Sequence, residues 1–262
     1  MDLSIEWSAT GLYTRAAPFL IFINDLDEEI VSKLLKFADD TKVAGAVWNE
    51  SDVRKLQADL NRLYQWSVDW QMLFNVDKCK TIHFGFNNRK ASYIMGNKVL
   101  EAVEEERDLG VLIHQSMKSS SQCAKVAKAA NATLGMMKRT FITRNKTTLI
   151  QLYKALVRPK LEFCVQAWRP YLKRDIDLLE KVQRRATRLI FADEIMPCED
   201  RLKCLNLTTL ETRRTRSDLI EVFKIIKNLE DTNRDLYFKL SGTGLRGHSF
   251  KLFKPQARLY IS

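Results

Sequence analysis

Apolar and polar residues recur along this chain with two periods, two residues in the first part and three to four in the second. From Ser32 to Val47 two apolar runs, Leu34, Leu35 and Phe37, then Val43, Ala44 and Val47, meet at the adjacent acids Asp39 and Asp40. Each run suits a short strand in a half-buried sheet, with the turn expected on the two acids. Asn49 to Asp52 can cap a helix whose apolar positions are Val53, Leu56, Leu60, Leu63, Tyr64 and Trp66 or Ser67, running to about Trp70. Trp70 to Gly85 reads as a loop and then a strand, in which His83 alternates with apolar residues and has a structural role. Gly96-Asn97 between apolar runs signals a hairpin, and Asp108 to Ile113 predicts a last short strand.

The second period takes over at Met117. Up to Ile142 it places Cys123, Val126, Ala127, Ala130, Leu134 and Met137 on one helical face, with Lys125, Lys128, Lys138 and Arg139 mostly off it. Further helices are expected from Lys146 to Val157 before Pro159, Leu161 to Trp168 before Pro170, Asp175 to Phe191, and Leu207 to Lys227. Trp168 and Tyr171 read as core residues. In the helix from Asp175, Lys181, Arg184, Arg185 and Arg188 share one side, opposite Leu178, Val182 and Leu189. Such a face is either a solvated surface or a contact for a polyphosphate backbone, which would relieve the repulsion among its four cations.

Residues 1–17 have no clean periodicity and read as an unrelated leader. At 262 residues and 45% hydrophobic, the chain can bury a sizeable core and form two domains. Its net charge of +11 is uneven: residues 1–113 carry 13 Lys and Arg against 18 Asp and Glu, a net −5, whereas residues 114–262 carry 30 against 14, a net +16. That division suits an acidic metal-holding part joined to a polyanion-binding one. Cys79, Cys123, Cys164, Cys198 and Cys204 follow no disulfide or CxxC spacing, and Cys198, Cys204 and His248 match no common zinc pattern. With neither a signal peptide nor a spanning segment, the expected location is intracellular, nucleus and cytoplasm being equally open, and no membrane partner is expected.

Two neighbouring carboxylates in the bend of an apolar hairpin repel each other and call for a positive neighbour. A hard divalent cation such as Mg²⁺ suits carboxylate oxygens and keeps open positions for phosphates. The alternative is an ordinary turn dipeptide that hydrogen-bonds its own backbone.

Phe37-Ala38-Asp39-Asp40 between two apolar strands, preceded by Phe19-Leu20-Ile21-Phe22-Ile23-Asn24-Asp25-Leu26, resembles the palm of reverse transcriptases from non-LTR retrotransposons of the LINE, jockey-like kind. The resemblance continues in order: Asn75-Val76-Asp77-Lys78 before a strand, the Gly96-Asn97 hairpin, Asp108-Leu109-Gly110-Val111, Leu152 to Phe163, Leu179 to Ile190, Thr212 to Leu219 and Arg246 to Leu252. It implies an α+β fold, with a partial palm (antiparallel sheet and packing helices) over residues 18–113, a helical thumb-like region over 114–192 and a helical C-terminal extension over 193–262. The Ile-Asn-Asp-Leu segment then belongs to a helix, Asp39 and Asp40 hold catalytic metal, and Lys78 lies near the leaving pyrophosphate. The hairpin ahead of Asp-Leu-Gly-Val grips the primer end.

The activity implied is RNA-directed DNA polymerisation with two Mg²⁺ ions (Mn²⁺ as a substitute), on an RNA template and a DNA primer. A third metal-binding Asp and a Gly-x-Pro-Gln-Gly motif stand upstream in the family and are not found here. The chain is therefore expected to be a truncated remnant that binds metal weakly if at all, is inactive alone, and leaves its hairpin with an exposed edge. The alternative is a noncatalytic RNA- or DNA-binding protein using the basic half, and a third reading is a truncated element with no function.

Overall fold

The computed structural model of the chain describes residues 2–6 by their backbone, and residues 21–141, 145–191, 195–242 and 250–254. Most of the stretch read as a leader, the start of the Phe19–Leu26 segment, the helix end at Ile142, and Arg246 to Ser249 with His248 lie outside the described residues. Contacts divide the chain into two compact units, residues 1–125 and 126–262.

In the first unit a five-stranded sheet has the order β2-β3-β1-β4-β7, from strands β1 (Asp2–Glu6), β2 (Lys33–Phe37), β3 (Asp40–Ala44), β4 (Lys80–Ile82) and β7 (Glu101–Val103). β1 lies within the supposed leader yet sits in the middle, antiparallel to both β3 and β4. The hairpin's free side is therefore covered at β3, and β2 is the edge strand. One pairing departs from the antiparallel expectation, since β4 and β7 run parallel. Two small hairpins, β5 (Ile94–Met95) with β6 (Lys98–Val99) and β8 (Glu105–Asp108) with β9 (Val111–His114), complete the strands.

Both hairpin turns follow from backbone chemistry. Gly96, at φ +60, turns β5 into β6, and a Cβ there would stand 2.6 Å from the Tyr64 ring, so only glycine fits. Leu109 and Gly110 both have positive φ, a two-residue turn that splits the single strand expected over Asp108 to Ile113.

Helix α1 (Glu50–Asp69) starts where expected, in a reciprocal capping box between Asn49 and Asp52. Its Leu56, Leu60 and Leu63 pack with Val43, Ile23, Leu26, Phe74 and Met95 into the core. Burying each such leucine stabilises by about 1.5–3 kcal/mol. Polar side chains of the same helix fix the chain around this core. Gln57 pairs both ways with the Ile94 backbone, accepting at 2.9 Å and donating at 2.7 Å. Asp59, fully buried, accepts from the N–H groups of Val31 at 3.3 Å and Ser32 at 2.8 Å and from Arg62 at 2.9 Å, so it sets where β2 begins. Lys36 of β2 reaches the carbonyls of Ile23 and Asn24, both at 3.0 Å, and the carboxylate of Asp27 at 2.6 Å. Lys36 thereby ties the Ile-Asn-Asp-Leu segment, here a run of turns from Ile23 to Glu29, to the hairpin, and its hydrogen bond holds the Asp27 carboxyl below its ordinary range.

Helix α2 (Ser120–Thr140) buries all six of its expected face residues. In the second unit, α3 (Lys146–Leu152) passes through a π-helical turn (Tyr153–Val157) into α4 (Arg158–Glu162). Helical structure thus continues through Pro159, which takes a first-turn position where no amide hydrogen is needed. The break comes at Cys164, left-handed at φ +52, before α5 (Val165–Trp168). Trp168 is buried as expected, but Tyr171 is exposed.

Helix α6 (Lys173–Ile190) is followed by the unforeseen α7 (Cys198–Cys204) and by α8 (Leu210–Ile226), capped by Thr209. The Thr-Arg-Arg phrase of α8 is a clasp. Arg213 pairs with both oxygens of Glu162, Arg214 donates to the Leu161 carbonyl at 3.1 Å and lies over the Trp168 ring, and Asp218 pairs with Arg169. Glu180 of α6 accepts from the Glu211 N–H at 2.9 Å, and its burial keeps the carboxyl above its ordinary range.

Two substitutions test these fixings. Asp59→Ala strands two backbone donors and should cost about 3 kcal/mol, and Arg214→Ala, which removes the buried donor to the Leu161 carbonyl and the cation over the Trp168 ring, should cost about 2–3 kcal/mol. Chemical unfolding of each variant measures the loss, and a change under about 1 kcal/mol would contradict the assigned role.

Candidate active-site hairpin and basic groove

Phe37 pairs with Asp40 across the β2–β3 hairpin, so the two-residue turn is Ala38-Asp39, one position earlier than expected. Ala38 holds φ +51, a conformation that costs a non-glycine residue about 1 kcal/mol or more and that clusters at functional turns. Asp39 is exposed at the tip, whereas Asp40 is half-buried as the first residue of β3.

Thr41 and Val43 of β3 are fully buried, and Asp40, Lys42 and Ala44 alternate with them toward the opposite face of the sheet. The backbone register sets Glu6 opposite Asp40 and Asp2 opposite Ala44. The acid in register with the hairpin is thus Glu6, at the end of a Leu3-Ser4-Ile5-Glu6 alternation too short to stand out in the sequence. Among the described side chains no three acids, histidines or cysteines converge as a metal site. Asp39 and Asp40 offer the hard oxygen donors that Mg²⁺ takes, as a partial set.

Lys78 is exposed in the turn before β4, where its N–H donates to the Asn75 carbonyl at 3.0 Å. β1 stands between β4 and β3, the strand that carries Asp40. His83, just past β4, is buried, and desolvation lowers its pKa, in keeping with a structural role.

Two lysines missed by sequence reasoning connect the strands to the β8–β9 hairpin. Lys42, two residues from Asp40, pairs with Asp108 of the Asp-Leu-Gly-Val phrase, and Lys80 pairs with Glu106 at 2.7 Å. Burial raises the Glu106 pKa, but hydrogen bonds from Lys80 and from the Arg107 N–H outweigh it and hold the carboxyl below its ordinary value. The two pairs bound a small cleft lined also by Ile82, Phe84 and Ile113.

In the second unit the structure brings Lys181, Arg184, Arg185 and Arg188 to one exposed face of α6. None of the four is in an ion pair among the described residues. The buried side is turned by about one residue from the expected one: Leu179, Val182, Ala186 and Ile190 are buried, while Leu178 and Leu189 are half-buried. The cause is a polar pair inside the contact. Gln183 accepts from the Tyr153 hydroxyl at 2.7 Å and donates to the Thr208 carbonyl at 2.9 Å, and Thr187 accepts from Arg201 Nε at 3.2 Å. Leu189 instead lines a groove between α2 and α6 with Arg185, Arg188 and Lys138.

Among the described residues no helix is long and apolar enough to cross a membrane. The chain is 24% identical over 179 residues to the RNA-directed DNA polymerase from mobile element jockey of Drosophila melanogaster, covering 64% of this chain and 19% of that protein. It is 23% identical over 139 residues to the corresponding polymerase of Drosophila funebris, covering 52% of this chain and 15% of that protein. No family model and no solved structure matches it. Although the chain spans less than a fifth of the length of either relative, these matches identify it as a relative of the reverse transcriptases of jockey-like non-LTR retrotransposons.

Proposed function

We propose that this chain is a fragment of an intracellular RNA-directed DNA polymerase, carrying the palm's metal-holding hairpin and thumb-like helices, and that alone it binds nucleic acid without polymerising. The observation that carries the reading is the Asp39-Asp40 hairpin with a strained turn residue, β3 flanked by β1 and its acid Glu6 in register. In this reading Asp39 and Asp40 would hold Mg²⁺, or Mn²⁺ in its place, and the backbone register offers Glu6, opposite Asp40, as the candidate for a further acid. When bound, the ion supplies Lewis-acid stabilisation of phosphoryl oxygens.

The chain's own residues bind and position. Lys42 of β3 and Lys80 of β4, fixed to Asp108 and Glu106, keep the β8–β9 hairpin, which holds the Asp-Leu-Gly-Val phrase, against these strands, and the β5–β6 hairpin ahead of it takes the primer end. Lys78 is the proton donor or phosphate contact for the leaving group. Lys181, Arg184, Arg185 and Arg188 take the backbone of an RNA template or DNA primer. Residues 1–262 contain no Gly-x-Pro-Gln-Gly motif to seat the incoming nucleotide, and this absence makes the chain silent by itself.

A second reading, a noncatalytic nucleic-acid-binding protein, is favoured by the +16 charge of residues 114–262 and by the four cations gathered on one exposed face of α6. Template-primed incorporation with Mg²⁺ and with Mn²⁺ tests the first. The chain should incorporate no nucleotide, and an Asp39→Ala/Asp40→Ala variant should bind nucleic acid as tightly as the parent. Incorporation that the double variant loses would contradict the proposed silence and mean that the hairpin assembles a working site. Titration with Mn²⁺ should show weak binding, reduced about tenfold or more in Glu6→Gln and in Asp40→Asn, because affinity follows the charge count of the ligand set. Equal affinity in Glu6→Gln would remove Glu6 from the site.

A further inference from the structure

The four cations of α6 do not act alike. Arg185 and Arg188 face the groove toward α2, where Lys138 stands across from them, whereas Lys181 and Arg184 lie outside its lining. Arg185 is held in place, its guanidinium donating to the Asn131 side chain of α2 at 2.5 Å. Among the described residues no acid lines the groove, and its floor is apolar, made by Leu134 and Leu189. At Gly135 the helix backbone itself is approachable: a Cβ there would find only the tip of Arg139 within 4 Å, at 3.7 Å.

Cations over an apolar floor fit one class of polyanion better than another. A duplex keeps its base faces stacked inside, so Leu134, Gly135 and Leu189 would meet only sugars and base edges and never the flat face of a base. A single strand can lay a base or sugar on that floor while its phosphates meet the cations. The lengths agree: Asn131 to Lys138 spans about 10 Å of helix, about three phosphate steps at the axial spacing of a stacked strand, for three cations.

We propose that the α2–α6 groove is a binding site for single-stranded nucleic acid, with phosphates on Lys138, Arg185 and Arg188 and a base or sugar against Leu134, Gly135 and Leu189. The inference rests on the nucleic-acid-binding reading above and narrows it to one groove and one strand form.

Fluorescence anisotropy of the full chain with labelled oligo(dT) and with a blunt duplex of equal length tests it over a range of salt. The single strand should bind more tightly. Gly135→Leu, which fills the groove without changing charge, should weaken single-strand binding about tenfold, the order of one lost base contact. Leu189→Asn should weaken it in the same direction, giving a second test should Gly135→Leu unfold. Arg185→Gln/Arg188→Gln should reduce the steepness of the log–log salt dependence by about 1.4, at 0.7 per phosphate contact on a single strand. Unchanged affinity in folded Gly135→Leu and Leu189→Asn, or tighter duplex binding, would overturn the groove while leaving nucleic-acid binding intact. Absence of binding to either probe at low salt would sink the broader reading itself.

Discussion

The first unit depends on the backbone hydrogen bonds of β1. β3 and β4 are not neighbours, and each takes its ladder partners on one side from Asp2–Glu6. Thr41, Val43, Thr81 and Ile82 are buried on these two strands, so the loss of β1 would break ladder hydrogen bonds in the buried middle of the sheet. The α1 core rests on this sheet, and the Lys42–Asp108 and Lys80–Glu106 pairs dock one hairpin on strands whose separation β1 fixes. The same pairing decides the chemistry on offer, since it puts an acid in register with Asp40.

Elsewhere the fold relies on side chains that hold the backbone of distant segments. Asp59 and Gln57 from one helix fix the start of β2 and the β5 strand, and Lys36 fixes the turns before β2. In the second unit Arg214 and Glu180 do the same between α8 and the helices it packs on, and Arg213 adds a side-chain pair with Glu162. Buried charges so placed specify one arrangement more than they add stability, because the cost of desolvating them offsets much of the attraction.

The parts legible in the sequence are those governed by local rules. α1 and α2 have long apolar periodicity and, for α1, a capping box, and Gly96-Asn97 has the one chemistry its turn accepts. The parts that were not legible are set by partners far along the chain. β1 is five residues long and is defined only by the strands on either side of it. The apolar face of α6 is rotated because Gln183 and Thr187, polar in the sequence, find hydrogen bonds inside the contact. Pro159 reads as a helix stop, but a π-helical turn before it makes room for continuation. At the site, Asp39 and Asp40 announce themselves by adjacency, whereas Glu6, Lys42 and Lys80 gain meaning only from register and from ion pairs.

Amide hydrogen exchange across the first unit tests the dependence on β1 most directly. The amides of Leu3 to Glu6 should exchange as slowly as those of Thr41 to Val43 and Thr81 to Ile82, and all should open together as one cooperative block. Exchange of Leu3 to Glu6 at unprotected rates while β3 and β4 stay protected would contradict the central place given to this strand, and with it the assignment of Glu6 beside Asp40.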